Sequence, residues 1–183
     1  KMCTNDVNFS NLVGCWRLEE GSGTLIQDGG ATPYNDSTTV GGTPAWYTDP
    51  TRGTVASFNG ASYFSIPDEA SLNPGPTPNQ ITIAAWLYPR NNATQHVIKK
   101  LSGSAGYELS LSSSTATPAQ KVFFRINNDT TNLRINSTTT YPNNTGWIHA
   151  VATYDGSTMN LYIKGALEAT KTYPATIGTN TAP

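Results

Sequence analysis

The chain has 183 residues, of which only 13% are charged, with a net charge of -1. Soluble proteins average about 25% charged residues, so Ser, Thr, Asn and Gly supply most of the polar surface here. No basic run exceeds the pair Lys99-Lys100, which argues against nucleic acid or an anionic membrane surface as a partner, and no apolar stretch approaches the roughly 20 residues of a membrane-inserting helix.

The length suits one domain over residues 1–183. In chain order, short runs of β-branched and aromatic residues recur between Gly, Pro, Asn and Asp, which is the pattern of an all-β sandwich or barrel. After an N-terminal tail over 1–11, strands are expected at 12–18, 55–58, 63–66, 81–88, 96–100, 107–111, 122–126, 133–136, 147–154, 159–163 and 167–170. Residues 21–50 are rich in Gly, Thr and Asp and lack strand signals. Residues 73–79 hold three prolines and read as a stiff crossover. One helical turn is expected at 69–73, before Pro74.

Alternation is clearest late in the chain. Ile148, Ala150, Ala152 and Tyr154 share one face, and Trp147, His149, Val151 and Thr153 the other. Asp155-Gly156 turns this strand into 159–163, and Lys164-Gly165 turns that one into 167–170, giving a three-strand meander. Trp16, Trp86 and Trp147 fall within expected strands and are assigned to the core.

The two cysteines, Cys3 and Cys15, read either as a disulfide that ties down the tail, the favoured pairing, or as two unrelated thiols. A bridge implies an oxidising, extracellular compartment. Six Asn-x-Ser/Thr triplets, at Asn8, Asn35, Asn92, Asn128, Asn136 and Asn143, are acceptors for N-glycosylation. Chance alone gives roughly four, from 17 Asn and 42 Ser plus Thr, so they are weak evidence of use. His96 and His149 are the only imidazoles, and neither a Gly-x-Ser-x-Gly elbow nor a Cys-His pairing accompanies them. Tyr34, Trp46 and Tyr47 stand in the loop-rich stretch, unexplained by strand alternation, and are the candidate aromatic platforms for a sugar. The favoured reading of the same three is a satellite core clamping a long loop on the sandwich.

Several runs together resemble the laminin-G-like and concanavalin A-like lectin jelly rolls, of the bacterial or extracellular branch. They are Leu12-Val13-Gly14-Cys15-Trp16-Arg17-Leu18, Val55-Ala56-Ser57-Phe58-Asn59-Gly60, Ile81-Thr82-Ile83-Ala84-Ala85-Trp86-Leu87-Tyr88-Pro89, and Gly146-Trp147-Ile148-His149-Ala150-Val151-Ala152-Thr153-Tyr154-Asp155-Gly156, closed by Leu161-Tyr162-Ile163-Lys164-Gly165. The resemblance implies a two-sheet antiparallel jelly-roll sandwich. It also implies a structural Ca²⁺ in the loop after the first strand, for which Asp28 and Asp36 are the candidate ligands. Two departures stand out. Ala61 and Ser62 replace acidic residues that many relatives carry, and the family's final strand is missing after Ile177-Gly178.

Glucanases of similar architecture use a Glu-x-Asp-x-x-Glu strand, which is absent, and retaining hydrolysis needs two carboxyl groups about 5–5.5 Å apart. The expected function is therefore non-catalytic: a secreted glycan-binding or adhesion module at the cell surface. The alternative is a structural subunit of a surface layer or filament that self-assembles through an incomplete C-terminal sheet edge. A glycoside hydrolase relative is the remote third.

Overall fold

A computed structural model of the chain describes residues 11–30 and 35–183. These divide into two compact units, one ending at Leu72 and taking in Pro183, the other spanning Asn73–Ala182.

The first unit holds two antiparallel pairs, β1 (Thr39–Gly41) with β4 (Tyr63–Ser65) and β2 (Ala45–Asp49) with β3 (Gly53–Ser57). Strands β1 and β2 occupy a stretch that reads as strandless in the sequence, because Gly42, Pro44 and Pro50 cut it into pieces too short to show alternation. Their pairing comes from the partner strand and the turn instead. Asp49 Oδ1 accepts the N–H groups of Thr51 (2.8 Å) and Arg52 (2.9 Å), closing an Asx turn into β3. The expected strand over 12–18 does not form. Trp16 makes one antiparallel bridge to Asp28, and Leu18 adopts φ 55°, which ends extended backbone. The helical turn does form, as a 3-10 turn over Ala70–Leu72.

The second unit is a sandwich. Its strands are β5 (Ile81–Leu87), β6 (Gln95–Ser102), β7 (Ala105–Leu111), β8 (Val122–Ile126), β9 (Arg134–Asn136), β10 (Ile148–Tyr154), β11 (Thr158–Ile163) and β12 (Ala166–Thr172). They form two four-stranded antiparallel sheets, ordered β12-β11-β10-β5 and β6-β7-β8-β9. Period-two alternation sends every second residue inward: Ile83, Ile148, Ala150, Ala152, Tyr154, Met159, Leu161 and Ile163 from one sheet meet Tyr107, Leu109, Leu111, Val122, Phe124, Ile126 and Ile135 from the other in one core. This is the expected all-β jelly-roll sandwich. Both predicted turns are present. Asp155 Oδ1 caps the N–H groups of Ser157 (2.9 Å) and Thr158 (2.7 Å), and Lys164 (φ 52°) with Gly165 (φ 85°) makes a two-residue hairpin turn in the left-handed region.

Beyond β12, among the described residues, no further strand follows. The segment is held by side chains of its own unit. Tyr154 Oη accepts the Ala175 N–H (2.9 Å), Asn79 Oδ1 that of Ile177 (2.8 Å) and Asn127 Oδ1 that of Gly178 (2.7 Å), while Ile177 is buried in the core. Gly75 permits this course, since a Cβ there would lie 1.8 Å from the Ile177 carbonyl oxygen. No helix among the described residues is long and apolar enough to cross a membrane.

Candidate functional site

With one set of side chains committed to the core, the alternate set forms the outer face of each sheet. On the β12-β11-β10-β5 sheet that set is aromatic and aliphatic. Trp86 of β5 stands directly opposite His149 of β10, with ring centroids 4.8 Å apart and planes tilted by 35°. In the next row, Ala84, Val151, Tyr162 and Leu167 are cross-strand partners. Trp86 is 49% exposed and Leu167 53%. The assignment of Trp86 to the core is thus corrected: Ile83 and Ala85 point inward, so the period of two turns Trp86 outward. Trp16 and Trp147 are part-buried. Trp147 packs edge-on against Tyr88 at 5.6 Å, extending the aromatic set past the end of β5.

The outer face of the other sheet is polar. Register places Lys99, Glu108, Arg125 and Arg134 in one row across β6, β7, β8 and β9, and His96, Ser110, Phe123 and Asn136 in the next. Glu108 is fully buried. Its Oε1 accepts from His96 Nδ1 (2.8 Å) and Ser110 Oγ (2.7 Å), and its Oε2 from Arg125 Nε (3.2 Å) and Nη2 (2.5 Å). Burial alone raises the pKa of this carboxyl. The hydrogen bonds from His96, Ser110 and Arg125, with the Arg125 charge, outweigh it and hold the pKa at about 2. Glu108 is therefore an anchored anion and not a proton donor at neutral pH. Arg134 sits over Phe123, its guanidinium carbon 3.9 Å from the ring centroid.

In the first unit the expected site residues are spread apart. Trp46 and Tyr47 are consecutive in β2 and so project to opposite faces. Trp46 tilts against Phe64 (6.2 Å) and donates Nε1 to the Gly23 carbonyl (3.1 Å), and Phe58 meets Phe64 edge-on (5.7 Å), a small aromatic cluster. Tyr47 is exposed. Tyr34 lies outside the described residues, as do Cys3, and with it the expected Cys3–Cys15 bridge, and Asn8.

Asp28 is buried, and its oxygens accept three backbone N–H groups, from Cys15 (2.7 Å), Gly30 (2.8 Å) and Asn35 (3.0 Å). Asp36 Oδ1 accepts the Asp28 N–H at 2.6 Å. A Ca²⁺ ion needs six to eight oxygen ligands; Asp28 and Asp36 both spend oxygens on amides of the loop, and among the described residues no group of three His, Cys, Asp or Glu stands together. These two residues clamp the loop. An open polar cleft of about 340 Å³ beside Asp28 is lined by Arg17, Glu19, Glu20, Gln27 and Gly29 as well. Of the described sequons, Asn35 is buried with Nδ2 donating to the Val13 carbonyl (2.5 Å). Asn92 accepts from Asn143 (2.8 Å), Asn136 accepts from Arg134 Nε (3.1 Å), and Asn128 is exposed.

Residues 58–183 match the family model of the concanavalin A-like lectin/glucanases superfamily. None of the curated proteins matches the chain. Among solved structures, the chain is similar to the binding domain of Paraclostridial Mosquitocidal Protein 1, with a TM-score of 0.70 and 18% identity over 94% of this chain and 43% of that one. It thus spans less than half the length of that binding-domain chain. It is also similar to domain 4 of an extracellular arabinanase from Geobacillus stearothermophilus, solved in complex with arabinotriose, with a TM-score of 0.53 and 16% identity over 81% of this chain and 74% of that one. At such identities the likeness is one of fold.

Proposed function

This chain belongs to the concanavalin A-like lectin/glucanases superfamily, and from that premise we propose that it is a non-catalytic carbohydrate-binding module acting outside the cell. The observation that carries the reading is Trp86, half exposed on an outer sheet face with His149 packed beside it and the Ala84-Val151-Tyr162-Leu167 row alongside. A rigid indole held at a surface offers an apolar plane for the C–H face of a sugar ring at little entropic cost, and neighbouring polar tips serve its hydroxyls. The binding-domain neighbour supports a binding role, and the arabinotriose complex of the arabinanase domain supports a glycan as the ligand.

Catalysis has little behind it. Glu108 is the acid on the polar face, both of its oxygens are engaged, and the residues in register around it supply no second carboxyl, where glycoside hydrolysis needs two. Assembly through a vacant strand position is likewise weakly supported, since Asn79 and Asn127 already tie the segment after β12 to its own unit.

The test is affinity on a panel of neutral polysaccharides and their oligosaccharides, by isothermal titration, for the protein and for Trp86→Ala. A loss of about tenfold or more is expected, the order of one stacking contact, with no reducing ends released by either protein. Unchanged affinity in the variant removes Trp86 from the site, and a panel without any binder removes the neutral-sugar platform assigned to this face.

A further inference from the structure

The charges on the outer face of the β6-β7-β8-β9 sheet do not balance. The row Lys99, Glu108, Arg125, Arg134 carries three cations and one anion, and that anion is committed to Arg125, His96 and Ser110. Lys99 and Arg134 are left over, and whereas Lys99 is exposed to solvent, Arg134 is held in place. Its Nε donates to Asn136 Oδ1 at 3.1 Å, its guanidinium carbon lies over the Phe123 ring, and among the described residues no acceptor meets its two terminal nitrogens.

Those nitrogens are neither fully solvated nor randomly oriented. Arg134 is part-buried. Burial and the adjacent Arg125 charge both push its guanidinium down from the usual value, against the pull of Glu108, yet an arginine stays charged under such pressure. Directly opposite residues on neighbouring strands lie about 5 Å apart, so Arg125 and Arg134 stand side by side, with the one carboxylate of the row on the far side of Arg125. Such a pair costs stability unless a further anion joins it. Stacking on Phe123 and the Asn136 hydrogen bond fix the guanidinium plane in advance, and a fixed plane with two parallel N–H donors matches the two oxygens of a carboxylate or sulfate.

We infer that Arg134, seated on Phe123 and oriented by Asn136, is an anion-binding residue whose ligand is an acidic glycan, a sugar bearing a carboxylate or a sulfate. The anion follows from the unmet donors. The sugar rests on the carbohydrate-binding reading above. A nucleic acid fits less well, since the chain has a net charge of -1 and no basic run beyond two residues.

The experiment compares oligogalacturonate with its carboxyl-reduced, neutral counterpart, a sulfated oligosaccharide, polyglutamate and inorganic sulfate, at low and high salt. The protein is expected to bind the acidic sugars at least tenfold more tightly than the reduced one at low salt, with the preference shrinking as salt rises. Arg134→Gln is expected to abolish the preference, and Asn136→Asp, which keeps the arginine but sets a competing carboxylate beside it, to lower it at least tenfold. Trp86→Ala is expected to weaken neutral-sugar binding while leaving the acidic preference intact. No preference in the wild type, or a preference that survives in both variants at unchanged melting midpoints, overturns the proposal. Polyglutamate or sulfate binding as tightly as the acidic sugars overturns the sugar assignment. Absence of every sugar, with sulfate still bound through Arg134, overturns the carbohydrate reading while leaving the anion site standing.

Discussion

The two outer faces of the sandwich in Asn73–Ala182 are built on opposite principles. One leaves Trp86 and Leu167 half exposed over small or aliphatic neighbours, and owes its shape to the core beneath it. The other buries a carboxylate completely and keeps it there with donors from three strands, His96 on β6, Ser110 on β7 and Arg125 on β8. Residues on the aromatic face are thus removable with the fold intact, whereas the centre of the polar face is part of what holds the sheet. A ligand-binding role is easier to isolate by mutation on the first face than on the second.

The comparison breaks most visibly at Glu108. Glu108→Gln keeps the shape but leaves Arg125 without its counter-charge in a covered position, a loss of about 3 kcal/mol by analogy with other broken buried pairs. For a chain of this length that corresponds to a fall of roughly 6–12 °C in melting midpoint, readable by calorimetry. A fall under 2 °C would mean that the pair is dispensable and the contrast between the faces false.

Acid sharpens the same contrast. The Glu108 pKa is depressed from 4.5 to about 2, so its contribution is complete above the ordinary carboxylate value and is lost as pH falls through 4.5 towards 2. The stability at stake is on the order of 3 kcal/mol. Urea unfolding between pH 6 and pH 2.5 is expected to show a steep acid limb in the wild type and a shallower one in Glu108→Gln. Parallel limbs would place the acid sensitivity on other carboxylates, such as Glu168, whose pKa is lowered by hydrogen bonds from Thr139 and Tyr141 despite its burial.

What the sequence discloses follows the same division. Strands whose signal is local were legible: β8 forms over Val122–Ile126 as expected, and the β10-β11-β12 meander with its Asp155-Gly156 and Lys164-Gly165 turns is present as read. The exposed Trp86 is legible too, in the alternation of Ile81, Ile83, Ala85 and Leu87, although the overall apolarity of their strand masks it. The Glu108 cluster was not. His96 lies twelve residues before it and Arg125 seventeen after, and only register brings them together. Asp28 illustrates the converse: an acid in a Gly-rich loop is equally suited to a cation or to amides, and the loop's own backbone supplied the amides.

The smallest expected effect tests how far the aromatic face extends. Leu167 is the last residue in the row that starts at Ala84, on the edge strand β12, and at 53% exposure it adds little to the core. Leu167→Thr keeps a β-favouring residue there, so its cost should stay within about 0.5 kcal/mol, against roughly 1 kcal/mol for Trp86→Ala, which also loses the His149 contact. Affinity for neutral oligosaccharides then separates two geometries. If the sugar sits over Trp86 and His149 alone, Leu167→Thr binds as the wild type does. If longer oligosaccharides lose affinity in Leu167→Thr while the shortest binder does not, the chain of sugars runs across the strands from Trp86 towards β12, and the platform spans the whole sheet.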